Sequence, residues 1–336
     1  MMGAKMRTGR DAIRERVGDA VIWDNHACMP LRPDDNSFLP QLERVHDAGV
    51  DTITLNVGFG DQGVEEHVRM LGAIRTWLGE RAGRYLLASA ARDITAAKAA
   101  GKLAVCFDIE GMNALGGQLS MIELYYDLGV RWMLVAYNLA NIAGGGCMEE
   151  DGGLTRFGRD AVAVMNRVGM VPCGTHTGYR TARELIDASS TPVIFSHSNP
   201  RAMWDHPRNI PDTLMTACAE RGGVIGINGI GIFLGRNDAR ITTFADHVEY
   251  ALALVGEDHV GIALDYVFDD QEVAAFAAAN PAMFPSEAGY GAGMAMIAPW
   301  QMDEIVEELA KRGIGSATFA KLLGGNHLRI AGEIWR

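Results

Sequence analysis

Residues 24–30 read DNHACMP and follow the apolar run Ala20-Val21-Ile22-Trp23. An apolar strand that stops at a histidine has the form of the first ligand pair of a metal-dependent hydrolase. Such pairs are usually His-x-His or His-x-Asp, with both side chains on one strand face. Here the partner of His26 is Cys28. A thiolate is a legitimate zinc ligand, at a Zn–S distance of roughly 2.3 Å. Other apolar runs also end in groups able to do chemistry: Asp108-Ile109-Glu110-Gly111, Tyr137-Asn138, Thr175-His176, Ser196-His197-Ser198 and Asp265. A lone strand-end histidine reads most simply as a hydrogen-bonded structural group. His26, His176 and His197 together with Glu110 and Asp265 read as a metal site. A carboxylate between two ligand clusters can bridge two ions, and a hydroxide held there is a nucleophile at neutral pH. Asp108 shares the strand face of Glu110 and reads as a supporting or ion-paired group. His46, His67, His206, His247, His259 and His327 fall on helices, in loops or at a strand start, and read as surface or structural.

These residues converge only if the strands are parallel neighbours. Candidate strands lie at 21–28, 52–57, 103–109, 132–138, 171–176, 192–197, 223–228 and 259–265, with amphipathic stretches between them, such as 155–168, 181–188, 212–221 and 243–255. Strand–helix alternation repeated about eight times predicts a closed (β/α)8 barrel of the TIM type with C-terminal helices, spanning 1–336 as one domain. In such barrels the C-terminal strand ends share one mouth. Two long irregular stretches, 144–153 and 268–296, each follow a strand, where functional loops belong. The first, with its GGGCMEEDGG run, lacks the GxxxxGK[ST] pattern of a phosphate cradle.

The chain has 336 residues with a formal net charge of −12, which argues against a nucleic-acid partner but not against a small anionic substrate. Five cysteines without CxxC spacing read as a reduced set rather than a disulfide framework. The charged N-terminus lacks an apolar signal core, and no run of 18 apolar residues suggests a membrane span. The expectation is a soluble, cytoplasmic protein.

The stretch LTRFGRDAVAVMNRVGMVPCGTHTGYRTARELIDASSTPVIFSHSNPRAMWDHPRNIPD, residues 154–212, resembles the membrane (renal) dipeptidase family of zinc peptidases. There a long helix leads into a His-bearing strand, followed by a P-V-I-x-S-H-S strand and an R-N-x-x-D segment. The His26 strand, the Ile109-Glu110-Gly111 turn, Leu264-Asp265 and the terminal GGNHLRI extend the resemblance over roughly residues 20–332. It implies one or two Zn²⁺ ions bridged by Glu110, one site completed by His176 and His197, the other by His26 and Cys28. It implies that Asp265 handles the leaving-group proton and that Arg208 binds a substrate carboxylate.

Two positions depart from the family pattern. Cys28 stands where an aspartate is usual, and Cys reaches about one bond less far. Tyr137 stands where a substrate-polarising histidine is usual; a phenol can donate to a developing oxyanion but carries no imidazolium charge. The resulting reading is a zinc-dependent hydrolase in which a metal-bound hydroxide cleaves the amide of a dipeptide or N-acyl amino acid with a free carboxylate. Two alternatives stay open: a mono-zinc relative acting on another small amino-acid derivative, and a catalytically silent barrel that binds a metabolite. A homo-oligomer is compatible with either.

Overall fold

A computed structural model describes residues 9–291 and 293–336. Its strands are β1 (Trp23–Cys28), β2 (Thr52–Phe59), β3 (Tyr85–Leu87), β4 (Leu103–Glu110), β5 (Val130–Leu134), β6 (Val171–Cys173), β7 (Ile194–Phe195), β8 (Val224–Ile227), β9 (Val260–Ile262) and β10 (Tyr266–Val267). All pairings are parallel, in the order β10-β1-β2-β4-β5-β6-β7-β8-β9. The two ends of this order are pieces of a single chain run, 260–267. On one side of it, the Ala263 N–H donates to the Ile227 carbonyl at 3.1 Å; on the other, Asp265 N–H donates to His26 O at 3.0 Å. The sheet therefore closes on itself, and the eight strands expected from the sequence form the ring of a (β/α)8 barrel. β3 is an addition that the sequence reading missed; it pairs with the first half of β4, while β5 takes the second half.

Alternation along β4 shows how a parallel barrel assigns side chains. Leu103, Val105, Phe107 and Ile109 pack outward into the main core under the helices, while Ala104 and Cys106 join a separate inner cluster. Asp108 and Glu110 continue that inner row toward the mouth. At the other end of the barrel, Trp23 packs against both Trp132 and Trp335, each with ring centroids 6.0 Å apart. Trp335 follows the C-terminal helix Asn326–Ile334, which closes this end.

The helix Arg156–Val168 illustrates the local rules. The Thr155 hydroxyl accepts from Gly158 N–H at 3.0 Å, a cap worth about 1 kcal/mol. Gly169 ends the helix at φ 94°, a conformation that glycine adopts without penalty. Ala161, Val162, Met165 and Val168 form its buried stripe.

The expected irregular stretch 268–296 needs correction. It contains the helix Asp270–Ala279, capped by Asp269, whose side chain accepts from Glu272 N–H. That helix is half alanine and buries only Ala277, so it carries no apolar period that would announce it. Among the described residues, no helix is long and apolar enough to cross a membrane.

Candidate metal centre

Several strands end before the residues that matter, because the chain turns as it leaves the ladder. Among described residues other than glycine, four have positive φ: Asn138 (56°), His176 (64°), Asn237 (55°) and Asp265 (57°). Three of the four lie just beyond barrel strands and turn their side chains into the mouth. Such backbone costs on the order of 1–3 kcal/mol per residue and is concentrated at functional sites. Gly111, directly after Glu110, sits at φ 119°, which a residue with a Cβ rarely adopts.

The structure brings the expected ligands together. Glu110 Oε1 lies 3.2 Å from His197 Nε2, 3.4 Å from His176 Nε2 and 3.7 Å from His26 Nε2. The His176 and His197 Nε2 atoms are 3.0 Å apart. On the other side, His26 Nε2 is 3.5 Å from Cys28 Sγ and 3.4 Å from Asp265 Oδ1, and Cys28 Sγ is 3.7 Å from Asp265 Oδ1. Two sets, His26–Glu110–His197 and His26–Cys28–Asp265, each place their ligand atoms within 4.8 Å of one another. The His26 and His197 rings stack at 3.8 Å.

Each imidazole is oriented from behind. His26 Nδ1 donates to Asp108 Oδ2 at 2.6 Å, and that carboxylate also accepts from Trp132 Nε1 and Asn56 Nδ2, both at 3.1 Å. His176 Nδ1 donates to Asn138 Oδ1 at 2.7 Å, and His197 Nδ1 meets Ser196 Oγ at 3.0 Å. Asp265 is held by Asn228 Nδ2 on Oδ2 at 2.6 Å, leaving Oδ1 toward the cluster. With Nδ1 of His176 and His197 donating to these partners, their Nε2 lone pairs point inward.

The electrostatics follow from burial. Burial pushes His176 and His197 well below the usual imidazole range, with Arg208 and His26 adding to the shift, so both are neutral. Burial also pulls on His26, but the carboxylates of Asp108 and Glu110 prevail and hold it well above 6.5. Glu110 is raised to about 8 and the Cys28 thiol to about 12, both by burial. The Asp265 carboxyl is raised for the same reason. Glu110 Oε1 is buried with no hydrogen-bond donor, facing the three imidazole nitrogens. The lone pairs of His176 and His197 and the oxygens of Glu110 converge closely enough to repel one another unless a proton or a cation lies among them, so the donor set fits a divalent metal.

Above the cluster lies a cavity of about 290 Å³, lined at its floor by Cys28, Glu110, His176 and Asp265. Tyr137 lines it too, its ring stacked on His176 at 4.0 Å. Burial keeps the Tyr137 hydroxyl protonated, well above 10. Arg208 is buried but does not line the cavity. Its Nη2 donates to His197 O at 3.2 Å, its Nε has no partner, and Phe233, 5.0 Å from the guanidinium, forms the wall.

The remaining histidines lie outside the cluster. His67, His206, His247 and His259 each bond a backbone carbonyl at 2.7–3.0 Å. Sequence reasoning missed the roles of Asn56, Asn138, Ser196 and Asn228. Asn138, Ser196 and Asn228 end runs read as strands, and that was their available signal.

Fold and cluster define a class: a parallel α/β barrel with a cluster able to hold a metal at the mouth formed by its C-terminal strand ends. A sequence profile of the membrane dipeptidase family (Peptidase family M19) matches residues 39–277, and the chain belongs to that family. Dipeptidase aclJ of Aspergillus oryzae is 30% identical over 240 residues, covering 70% of this chain and 52% of that protein. The chain spans about half the length of the first curated relatives it matches. An amidohydrolase structure from Pseudomonas aeruginosa is 26% identical with a TM-score of 0.86, covering 98% of this chain and 99% of that one. A dipeptidase structure described as a metallopeptidase of family M19 shares the fold at 19% identity and TM-score 0.75, covering 94% and 99%. The family is thus one of peptidases, enzymes that hydrolyse peptide bonds.

Proposed function

We propose that this protein is a metal-dependent, most simply zinc-dependent, hydrolase of dipeptides or N-acyl amino acids that end in a free carboxylate. The observation that carries the reading is Glu110 Oε1, buried without a donor and within 3.7 Å of three inward-facing imidazole nitrogens at the cavity floor. His176, His197 and Glu110 would hold one ion, and His26 and Cys28 with Glu110 a second. A divalent cation there would activate water at neutral pH and polarise the scissile carbonyl.

The other side chains have separable tasks. Asp265, oriented by Asn228 and raised by burial, is suited to take a proton from water and return it to the leaving amine. The Tyr137 hydroxyl supplies a donor for charge developing on the carbonyl oxygen. Arg208, whose Nε has no partner, lies beside Phe233 just outside the cavity lining; with that ring displaced, its planar guanidinium would meet a terminal carboxylate. The five free cysteines support a reducing, cytoplasmic setting.

The test is elemental analysis of protein purified without chelator, then a hydrolysis screen of dipeptides and N-acyl amino acids on that sample. One to two divalent ions per chain and turnover of at least one such substrate are expected. Protein loaded with excess zinc that holds none after desalting would refute the reading.

A further inference from the structure

The cavity floor is polar, but its wall is aromatic. Six rings follow one another round the mouth. Ring centroids are 6.0 Å apart for Phe233–Tyr290, 5.2 Å for Tyr290–Phe284, 5.8 Å for Phe284–Phe276, 5.1 Å for Phe276–Phe59 and 5.0 Å for Phe59–Tyr137. These are the separations at which aromatic rings attract in tilted or edge-on arrangements.

Three polar side chains in the same wall, Gln62, Asp269 and Glu272, are already engaged by the protein. Gln62 Oε1 accepts from Phe59 N–H at 2.8 Å. Asp269 caps its helix and accepts from Arg32 at 3.2 Å. Glu272 accepts from Leu31 N–H at 3.3 Å and pairs with Arg32 at 3.2 Å. A group entering above the ligand cluster therefore meets mainly carbon surface, with the Tyr137 and Tyr290 hydroxyls as the polar points in it. Phe276 is left 37% exposed on the alanine-rich helix Asp270–Ala279. A large ring left in water at a cavity mouth favours any apolar group that covers it.

The ring series also has a direction. Arg208 lies beside Phe233, at one end. Phe59, Tyr137 and Phe276 form the other. With a substrate carboxylate at Arg208, the leaving residue occupies the Phe233 end and the acyl half reaches the far end.

We propose that the enzyme selects substrates whose acyl half carries a large apolar group, preferably an aromatic ring, seated against Phe59, Tyr137 and Phe276. The orientation rests on the hydrolase reading above. One methylene in an apolar pocket already discriminates by about 10- to 200-fold, so a ring in place of a methyl should exceed the lower bound.

The experiment compares kcat/KM of metal-loaded protein on Ala-Gly, Phe-Gly and Gly-Phe. Phe-Gly is expected to exceed Ala-Gly by about tenfold or more and to exceed Gly-Phe. Phe276→Ala and Phe59→Ala should bring the Phe-Gly/Ala-Gly ratio toward one, and Phe276→Leu should retain part of it. A wild-type ratio near one, a ratio that survives both alanine substitutions, or a preference for Gly-Phe would overturn the proposal. If no dipeptide or N-acyl amino acid is turned over, the hydrolase reading fails, and calorimetric binding decides this one separately. N-phenylacetylglycine should then bind about tenfold tighter than N-acetylglycine, with the gain lost in Phe276→Ala; equal affinities would refute it.

Discussion

The two sides of the ligand cluster share Glu110 but differ in what surrounds the ligand atoms. On one side, His176 and His197 are oriented by neutral partners, Asn138 and Ser196, and burial holds both imidazoles neutral. On the other, His26 leans on the Asp108 carboxylate, and Cys28 is a half-buried thiol raised to about 12. A cation entering the first side finds lone pairs already free. On the second it must displace a proton from sulfur before the ligand exists. Side chains of similar size, a few ångströms apart, thus ask different things of a metal, and occupancy of the Cys28 side should depend more steeply on pH.

The largest expected effect comes from the group both sides share. Glu110→Gln removes the carboxylate that lies within 3.7 Å of all three imidazoles. It should lower kcat/KM by roughly 10³-fold, the scale of losing a group aimed at developing charge, and reduce bound metal in elemental analysis. A Glu110→Gln protein that keeps both ions and its activity would break the shared-carboxylate picture.

Next comes Cys28. Cobalt-loaded protein should show a thiolate-to-cobalt charge-transfer absorption that vanishes in Cys28→Ser, with about one ion fewer per chain. Cys28→Asp should hold metal as well as or better than the native residue. Unchanged spectra, metal content and activity in Cys28→Ser would mean that the thiol merely packs beside a site held by others.

Asp108→Asn sharpens the contrast further. It keeps the size but weakens the grip on His26 Nδ1, and loss of such a partner typically costs 10–100-fold in metal affinity. Competition titration with a metallochromic indicator should show the loss on the Cys28 side, with the His176–His197 side little changed. Equal weakening of both would show that the two sides bind as one unit.

The smallest effect is a pH trend in stability. Burial pushes Asp24 up to about 7 and Glu110 to about 8, and His26 is held above 6.5. Each group binds more protons folded than unfolded, so stability falls as pH rises through these values. His176 and His197 act in the opposite sense, but their contribution is complete once pH passes their unfolded value of 6.5. Chelator-treated protein should therefore lose a few degrees of Tm between pH 6.5 and 8. Metal-loaded protein should not, because binding releases the Glu110 and Cys28 protons more readily as pH rises. A chelated Tm that climbs over this interval would contradict the assignment.

What was legible in the sequence followed from local periodicity. The eight ring strands showed as apolar runs, and the residues that cluster at the mouth showed as the polar letters that stop them. Thr155 and Gly169 bracket their helix in the sequence as they do in space. The helix Asp270–Ala279 was not legible, because an alanine run that buries one residue has neither a period of 3.6 nor an apolar stripe. β3 was missed because it has only three residues, Tyr-Leu-Leu, and pairs with a strand that already has two partners.

The sequence by itself determined the ligand types and their order along the chain, since alternation along a strand needs only nearest neighbours. It also placed Asp108 on the face of Glu110. Tertiary structure alone decided that Asp108 serves His26, 82 residues away, rather than Glu110 beside it. It alone decided that Asn138 and Asn228 serve His176 and Asp265, because such pairings depend on barrel register and on a few residues turned through positive φ. It alone assembled an aromatic wall from Phe59, Tyr137, Phe233, Phe276, Phe284 and Tyr290, which lie on four separate segments at or beyond the ends of different strands. Hydrophobic attraction carries no address in sequence; ring closure of the sheet supplies it.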